Sequence, residues 1–129
     1  MKKALIHIFL IIGLIIPTPT YASHIQLKPC VQLSHCVREE LNVESVDSPL
    51  NKVTTIIKNT PRTEIVENDG DYIHAEVTSR IMKYVDDLEI SYSSEKNNLI
   101  IRSESRVGEG DFGVNRKRVD SLINKFFEN

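Results

Sequence analysis

The chain has 129 residues, 40% of them hydrophobic and 26% charged, with a formal net charge of −2. That balance makes a poor general binder of nucleic acid or anionic membrane, which favours a strongly basic surface. The length supports one modest core rather than several domains.

The first 22 residues read as an export leader. Lys2 and Lys3 form a basic start, 4–16 form an apolar run, and Pro17 and Pro19 break it. Thr20-Tyr21-Ala22 has the small-residue character of a cleavage site, so removal is expected between Ala22 and Ser23. An uncleaved membrane anchor is the alternative, but the run is short of the ~20 apolar residues a spanning helix uses. Cleavage takes Lys2 and Lys3 away and moves the formal charge from −2 to −4. No stable membrane span is expected afterwards, and the location implied is the periplasm or the exterior.

Cys30 and Cys36 are the only cysteines. An even count in an exported chain favours a Cys30–Cys36 disulfide. A metal site of Cys30, His35 and Cys36 is the other reading, without a convincing fourth ligand. No metal centre and no cofactor is expected. Residues 23–47 lack a clear period and read as an extended arm pinned by the cysteines, with Arg38-Glu39-Glu40 as a solvated patch.

The α+β domain is expected over 48–129. Ser48-Pro49 suits a helix start, with Ser as N-cap and Pro at the first helical position. Leu50, Val53, Ile56 and Ile57 recur at helical spacing, and Pro61 ends the helix near Asn59. A short strand is expected over 62–67, and Asn68-Asp69-Gly70 signals a tight hairpin. Residues 71–79 alternate, with Ile73, Ala75 and Val77 on one face and Tyr72, His74, Glu76 and Thr78 on the other. Residues 80–85 fit either a strand continuation or a turn. Residues 86–93 and 99–105 alternate again. Val119, Leu122, Ile123, Phe126 and Phe127 form one helical stripe, with Asn115 as the expected N-cap. The sum is a four-stranded antiparallel meander with two helices packed on one face, a two-layer sandwich.

Gly108-Glu109-Gly110-Asp111-Phe112-Gly113 fits a dinucleotide fingerprint, but no second parallel strand follows the last helix. The glycines are expected to serve backbone geometry instead. The last helix opens with Arg116-Lys117-Arg118, the wrong sign for its dipole, so a compensating anion is expected, internal or bound. An anion-binding corner of Arg106, Asp111, Asn115, Arg116 and Arg118 is the functional reading, and internal pairing to Asp86, Asp87, Asp111 or Glu109 is the one that charge clusters of this kind favour. On the polar sheet face, His74 and Glu76 are neighbours, and Arg102 and Glu104 are placed to join them. They are the weak candidates for acid–base chemistry, with a solvated, ion-paired face as the alternative. Asp86 and Asp87 point to opposite faces and make no carboxylate dyad. Ser79, Ser103 and Ser105 lack a nucleophile setting.

Five segments together carry a family resemblance. They are Asp71-Tyr72-Ile73-His74-Ala75-Glu76, Ser79-Arg80, Val85-Asp86-Asp87-Leu88-Glu89, Arg102-Ser103 with Ser105-Arg106-Val107-Gly108, and Asp111 through Arg118. In combination the chain closely resembles the secreted or membrane-associated domain of unknown function 1499 family, from about Cys30 to the C-terminus. The Cys30 and Cys36 spacing matches the family's C-x5-C segment, while Leu33 and His35 depart from it. The resemblance implies an exported or organellar-lumen domain of the same fold, with no established substrate, cofactor or catalytic residue. Two function classes follow. One is a non-catalytic envelope module that binds an anionic small ligand or a partner protein through the 108–118 corner. The other is a small hydrolase or isomerase centred on His74 and Glu76.

Overall fold

The computed structural model describes residues 26–128. The expected leader and its cleavage point lie outside them. Seven elements follow in order: β1 (Cys36–Asn42), α1 (Pro49–Lys58), β2 (Thr63–Asp69), β3 (Tyr72–Thr78), β4 (Val85–Ser93), β5 (Asn98–Ser105) and α2 (Val114–Phe127). The strands form one antiparallel sheet in the order β1-β5-β4-β3-β2.

The α+β class agrees with the sequence, but the sheet has five strands where four were expected. The fifth is β1, inside the stretch expected to be an extended arm. Its core-facing positions are Val37, Glu39 and Leu41, so a charge interrupts the apolar alternation. Glu39 is tolerated at that sheet edge because Arg116 of α2 donates to it at 2.6 Å. Cys36 pairs with Glu104 and Asn42 with Asn98, extending the expected meander by one strand.

Local chemistry explains most boundaries. Ser48 occupies the N-cap position of α1 without a side-chain cap, and Pro49 follows with its fixed φ. Asn59 is the C-cap. The β2–β3 hairpin turns through Gly70 at φ 59°, a conformation that favours glycine. The register between β2 and β3 shifts between Ile65 and Glu67, a bulge in the outer strand.

One core joins the layers. Val53 and Ile57 of α1 and Val119, Leu122 and Phe126 of α2 pack on Ile73, Ala75, Val77, Leu88, Ile90, Leu99 and Ile101 of the sheet. These are the helical stripes and strand faces the periodicity marks out. Each fully buried aliphatic or aromatic chain contributes roughly 1.5–3 kcal/mol of transfer free energy. The opposite sheet face is polar, and Leu27 is buried ahead of β1. No helix among the described residues is long and apolar enough to cross a membrane.

Candidate functional site

The expected arginine corner resolves into three separate clamps. Arg118 Nη2 donates to Asp86 Oδ2 at 2.6 Å, and its Nη1 donates to Ser103 Oγ at 2.8 Å and Asn115 Oδ1 at 2.5 Å. Arg116 donates to Glu39, and more loosely to Asp120 at 3.4 Å. Arg106 lies on the opposite sheet face, where it donates to Asp87 at 2.7 and 3.0 Å and to Glu76 at 2.6 Å. The three guanidinium groups do not converge on an open cleft, and each is engaged by the chain's own carboxylates.

Asp111 supplies the anion that the basic helix start requires. Its Oδ1 accepts from the Gly113 amide at 2.8 Å and its Oδ2 from the Asn115 amide at 2.9 Å. It thus satisfies helix-terminal donors from three residues ahead of the first helical residue, Val114. Burial pushes the Asp111 carboxyl upward, but these backbone bonds outweigh it and hold the group below the usual carboxylate range. Asn115, expected as the N-cap, is instead the second residue of α2, and Gly113 takes the cap position at φ 76°. The Asn115 side chain is fully buried. Its amide nitrogen donates to the His35 carbonyl at 3.0 Å, Ser105 Oγ at 2.8 Å and Asp111 Oδ2 at 2.7 Å. Its oxygen accepts from Ser103 Oγ at 2.6 Å as well as from Arg118. Asn115 therefore ties α2 to β5 and to the cysteine loop.

The polar face is a lattice of ion pairs. His74 Nε2 lies 2.7 Å from Asp87 Oδ1, so its partner is Asp87 rather than Glu76. Glu76 is taken by Arg106. Arg102 bridges Glu89 and Glu104, and the Tyr72 hydroxyl donates to Glu89 at 2.9 Å. Arg106 holds the Asp87 carboxyl below its ordinary range despite burial, and burial together with Glu89 pushes the Tyr72 phenol upward. Asp86 and Asp87 point to opposite faces, as expected. Neither His74 nor Glu76 lines the cleft described next. Among the described residues no group of three His, Cys, Asp or Glu is placed to hold a metal ion. The sulfurs of Cys30 and Cys36 lie 2.02 Å apart, at disulfide distance.

The concavity of this end lies between the loops. A cleft of about 390 Å³ is bounded by Ser79 and Tyr84 of the β3–β4 loop, by Val107, Gly108, Gly110 and Phe112 of the β5–α2 loop, and by Val114. Asp86, Ser105 and Asp111 complete its lining. Around it, apolar side chains stand in solvent. Phe112 is 100% exposed, Val31 88%, Ile81 83% and Leu33 80%, with Met82, Tyr84, Val107 and Val114 about half exposed or more. They come from three loops at one end of the sheet, hereafter the tip. Two of the loops, the cysteine loop and the β5–α2 loop, are tied together by Ser34 Oγ donating to the Glu109 carbonyl, by His35 Nδ1 at 2.9 Å from the Gly108 carbonyl, and by the Asp111 amide donating to the Ser34 carbonyl at 3.1 Å. The glycines at 108 and 113 adopt left-handed φ, the geometric role expected of them.

The apolar tip was not foreseen from the sequence. Its signal is Arg80-Ile81-Met82-Lys83, two large apolar residues between cations where the strand alternation has ended. No curated protein matches the chain. Residues 22–126 match the family model described as protein of unknown function (DUF1499). With that match covering most of its length and the quoted motifs falling within it, the chain belongs to the DUF1499 family.

Proposed function

We propose that this chain is an exported, non-catalytic binding module whose docking surface is the tip. The observation that carries the reading is the contrast between two parts of one end of the fold. Arg106, Arg116 and Arg118 are already neutralised by internal acids, whereas large apolar side chains from three loops are left in water around a cleft. Large apolar side chains left exposed together at one end of a fold are the kind of surface that marks interaction sites. The leader pattern of 1–22 and the cysteine pair at disulfide distance support an extracytoplasmic setting. An anionic small ligand at the arginine corner loses support, because each guanidinium has its acceptors already.

The test is site-specific photo-crosslinking in intact cells. One photo-reactive side chain replaces Phe112 and another replaces Lys96 in the β4–β5 turn at the far end of the sheet. Adducts at position 112, absent at position 96 and lost on Ile81→Ser, are expected. Equal labelling at both positions, or none at 112, overturns the reading.

A further inference from the structure

The geometry points to a lipid surface bearing anionic headgroups as what the tip docks on, an inference that rests on the binding-module reading above. Phe112, Ile81 and Leu33 belong to three different loops of the tip and are each largely or wholly exposed. Separate apolar loop ends entering a bilayer interface gain by burial of apolar area without needing a shaped partner.

Two further observations favour lipid. Arg80 and Lys83 flank Ile81-Met82 directly, and they form no ion pair among the described residues. Arg62 lies at the same end, where its carbonyl accepts from the Thr78 amide at 2.9 Å. When Ile81 and Met82 enter the acyl boundary, the stems of Arg80 and Lys83 leave their charges at headgroup level. The opposite end of the sheet carries Glu44, Asp47, Asp69, Asp71 and Glu95 against Lys96 in its turns and flanks, whereas the tip sets Arg62, Arg80 and Lys83 against the exposed Glu109. A chain of net negative charge is thus polarised, and an anionic leaflet attracts the tip while repelling the far end. This revises what the overall charge suggests.

Phe112 also departs from ordinary backbone preference. It sits at φ 53°, a region non-glycine residues seldom occupy, with its ring fully in solvent. Asp111 fixes that conformation from one side through the cap, and Gly113 continues it from the other. The fold holds a large apolar ring outward at a conformational cost.

The experiment is co-sedimentation of protein purified from its own envelope with vesicles of phosphatidylglycerol and phosphatidylcholine, compared with phosphatidylcholine alone. Stronger partition to the anionic vesicles is expected. Phe112→Asn with Ile81→Ser should lower it at least about tenfold, on the scale of apolar transfer energies. Arg80→Glu and Lys83→Glu should each lower it on the order of fivefold, with added salt having a similar effect. Asn accepts left-handed φ, and an unchanged thermal midpoint verifies that the variant folds. Absence of partition, or partition indifferent to these substitutions, overturns the lipid inference. If position 112 then crosslinks to protein in cells, the binding-module reading survives alone. If it crosslinks to nothing, both fall.

Discussion

Arg118 of α2 and Asp86 of β4 meet at 2.6 Å with side chains only 14% and 11% exposed. The pair closes the seam between helix and sheet beneath the tip cleft. Arg118→Ala leaves Asp86, Ser103 and Asn115 without their shared donor. Breaking a buried pair from one side is costly, so a loss of about 3 kcal/mol is expected in urea unfolding. Arg118→Lys should recover only part of it, because an ammonium lacks the planar fork that reaches Asp86 and Ser103 together. A loss below about 0.5 kcal/mol, the range of ordinary surface changes, would place the pair among solvated contacts.

Asp111 makes a pH-dependent contribution. Its folded carboxyl lies below the usual range, whereas an unfolded Asp titrates near ~3.9. The depressed group therefore stabilises the fold fully above about pH 4 and loses that contribution as pH falls through the lower, folded value. Asp111→Ala should cost roughly 1–2 kcal/mol at neutral pH, the range for a lost cap. Asp111→Asn keeps an acceptor and should flatten the acid limb of a stability profile. An unaltered acid limb in that variant would remove Asp111 from the account.

His74 is expected to behave as one member of an ion-paired sheet face. His74→Ala and Glu76→Gln should each change stability by no more than about 1 kcal/mol, as partly exposed pairs do. Neither should alter vesicle partition or crosslinking from position 112. A substrate turned over by the wild type and lost in His74→Ala would reinstate the acid–base reading.

Reduction of the cysteine pair should loosen the tip before it unfolds the sheet. Ser34 and His35, inside the short cysteine loop, hold the β5–α2 loop at the Glu109 and Gly108 carbonyls and at the Asp111 amide. The double change Cys30→Ser, Cys36→Ser should cost about 2 kcal/mol by loop entropy. Hydrogen exchange should rise first in residues 106–113. Uniform loss of protection across β3 and β4 would contradict this order.

Phe112→Asn offers the reverse sign. Its ring makes no buried contact, and Asn fits a left-handed backbone better than Phe does. Thermal unfolding should show a midpoint unchanged or slightly raised. A clear drop would mean that the ring supports the fold in a way its exposure does not reveal.

Much of the architecture was legible because it rests on local periodicity. The α2 stripe, the β3 and β4 alternation and the stop at Asn59 are each written in a short window of sequence. Strand β1 was not legible, because Glu39 breaks its apolar face and the reason it is tolerated, Arg116, lies far along the chain. Asn115 misled for a similar reason. It has the chemistry of an N-cap, but Ser103, Ser105 and the His35 carbonyl recruit it into the interior, and Asp111 caps instead. The charge compensation demanded by Arg116-Lys117-Arg118 was legible as a need, and Asp86 and Asp111 were among the internal acids expected to meet it, while Glu39, the partner of Arg116, was not. The apolar tip was invisible because isolated hydrophobic residues in loops are commonplace, and only the convergence of three loops gives them meaning.

The bulge between Ile65 and Glu67 falls in β2, one of the two edge strands, whose free side would otherwise invite a neighbour's backbone. Bent there and fringed by Glu64, Glu67 and Asp69, that margin is a poor template for strand addition. Pairing of two molecules along the β2 edge is thereby discouraged.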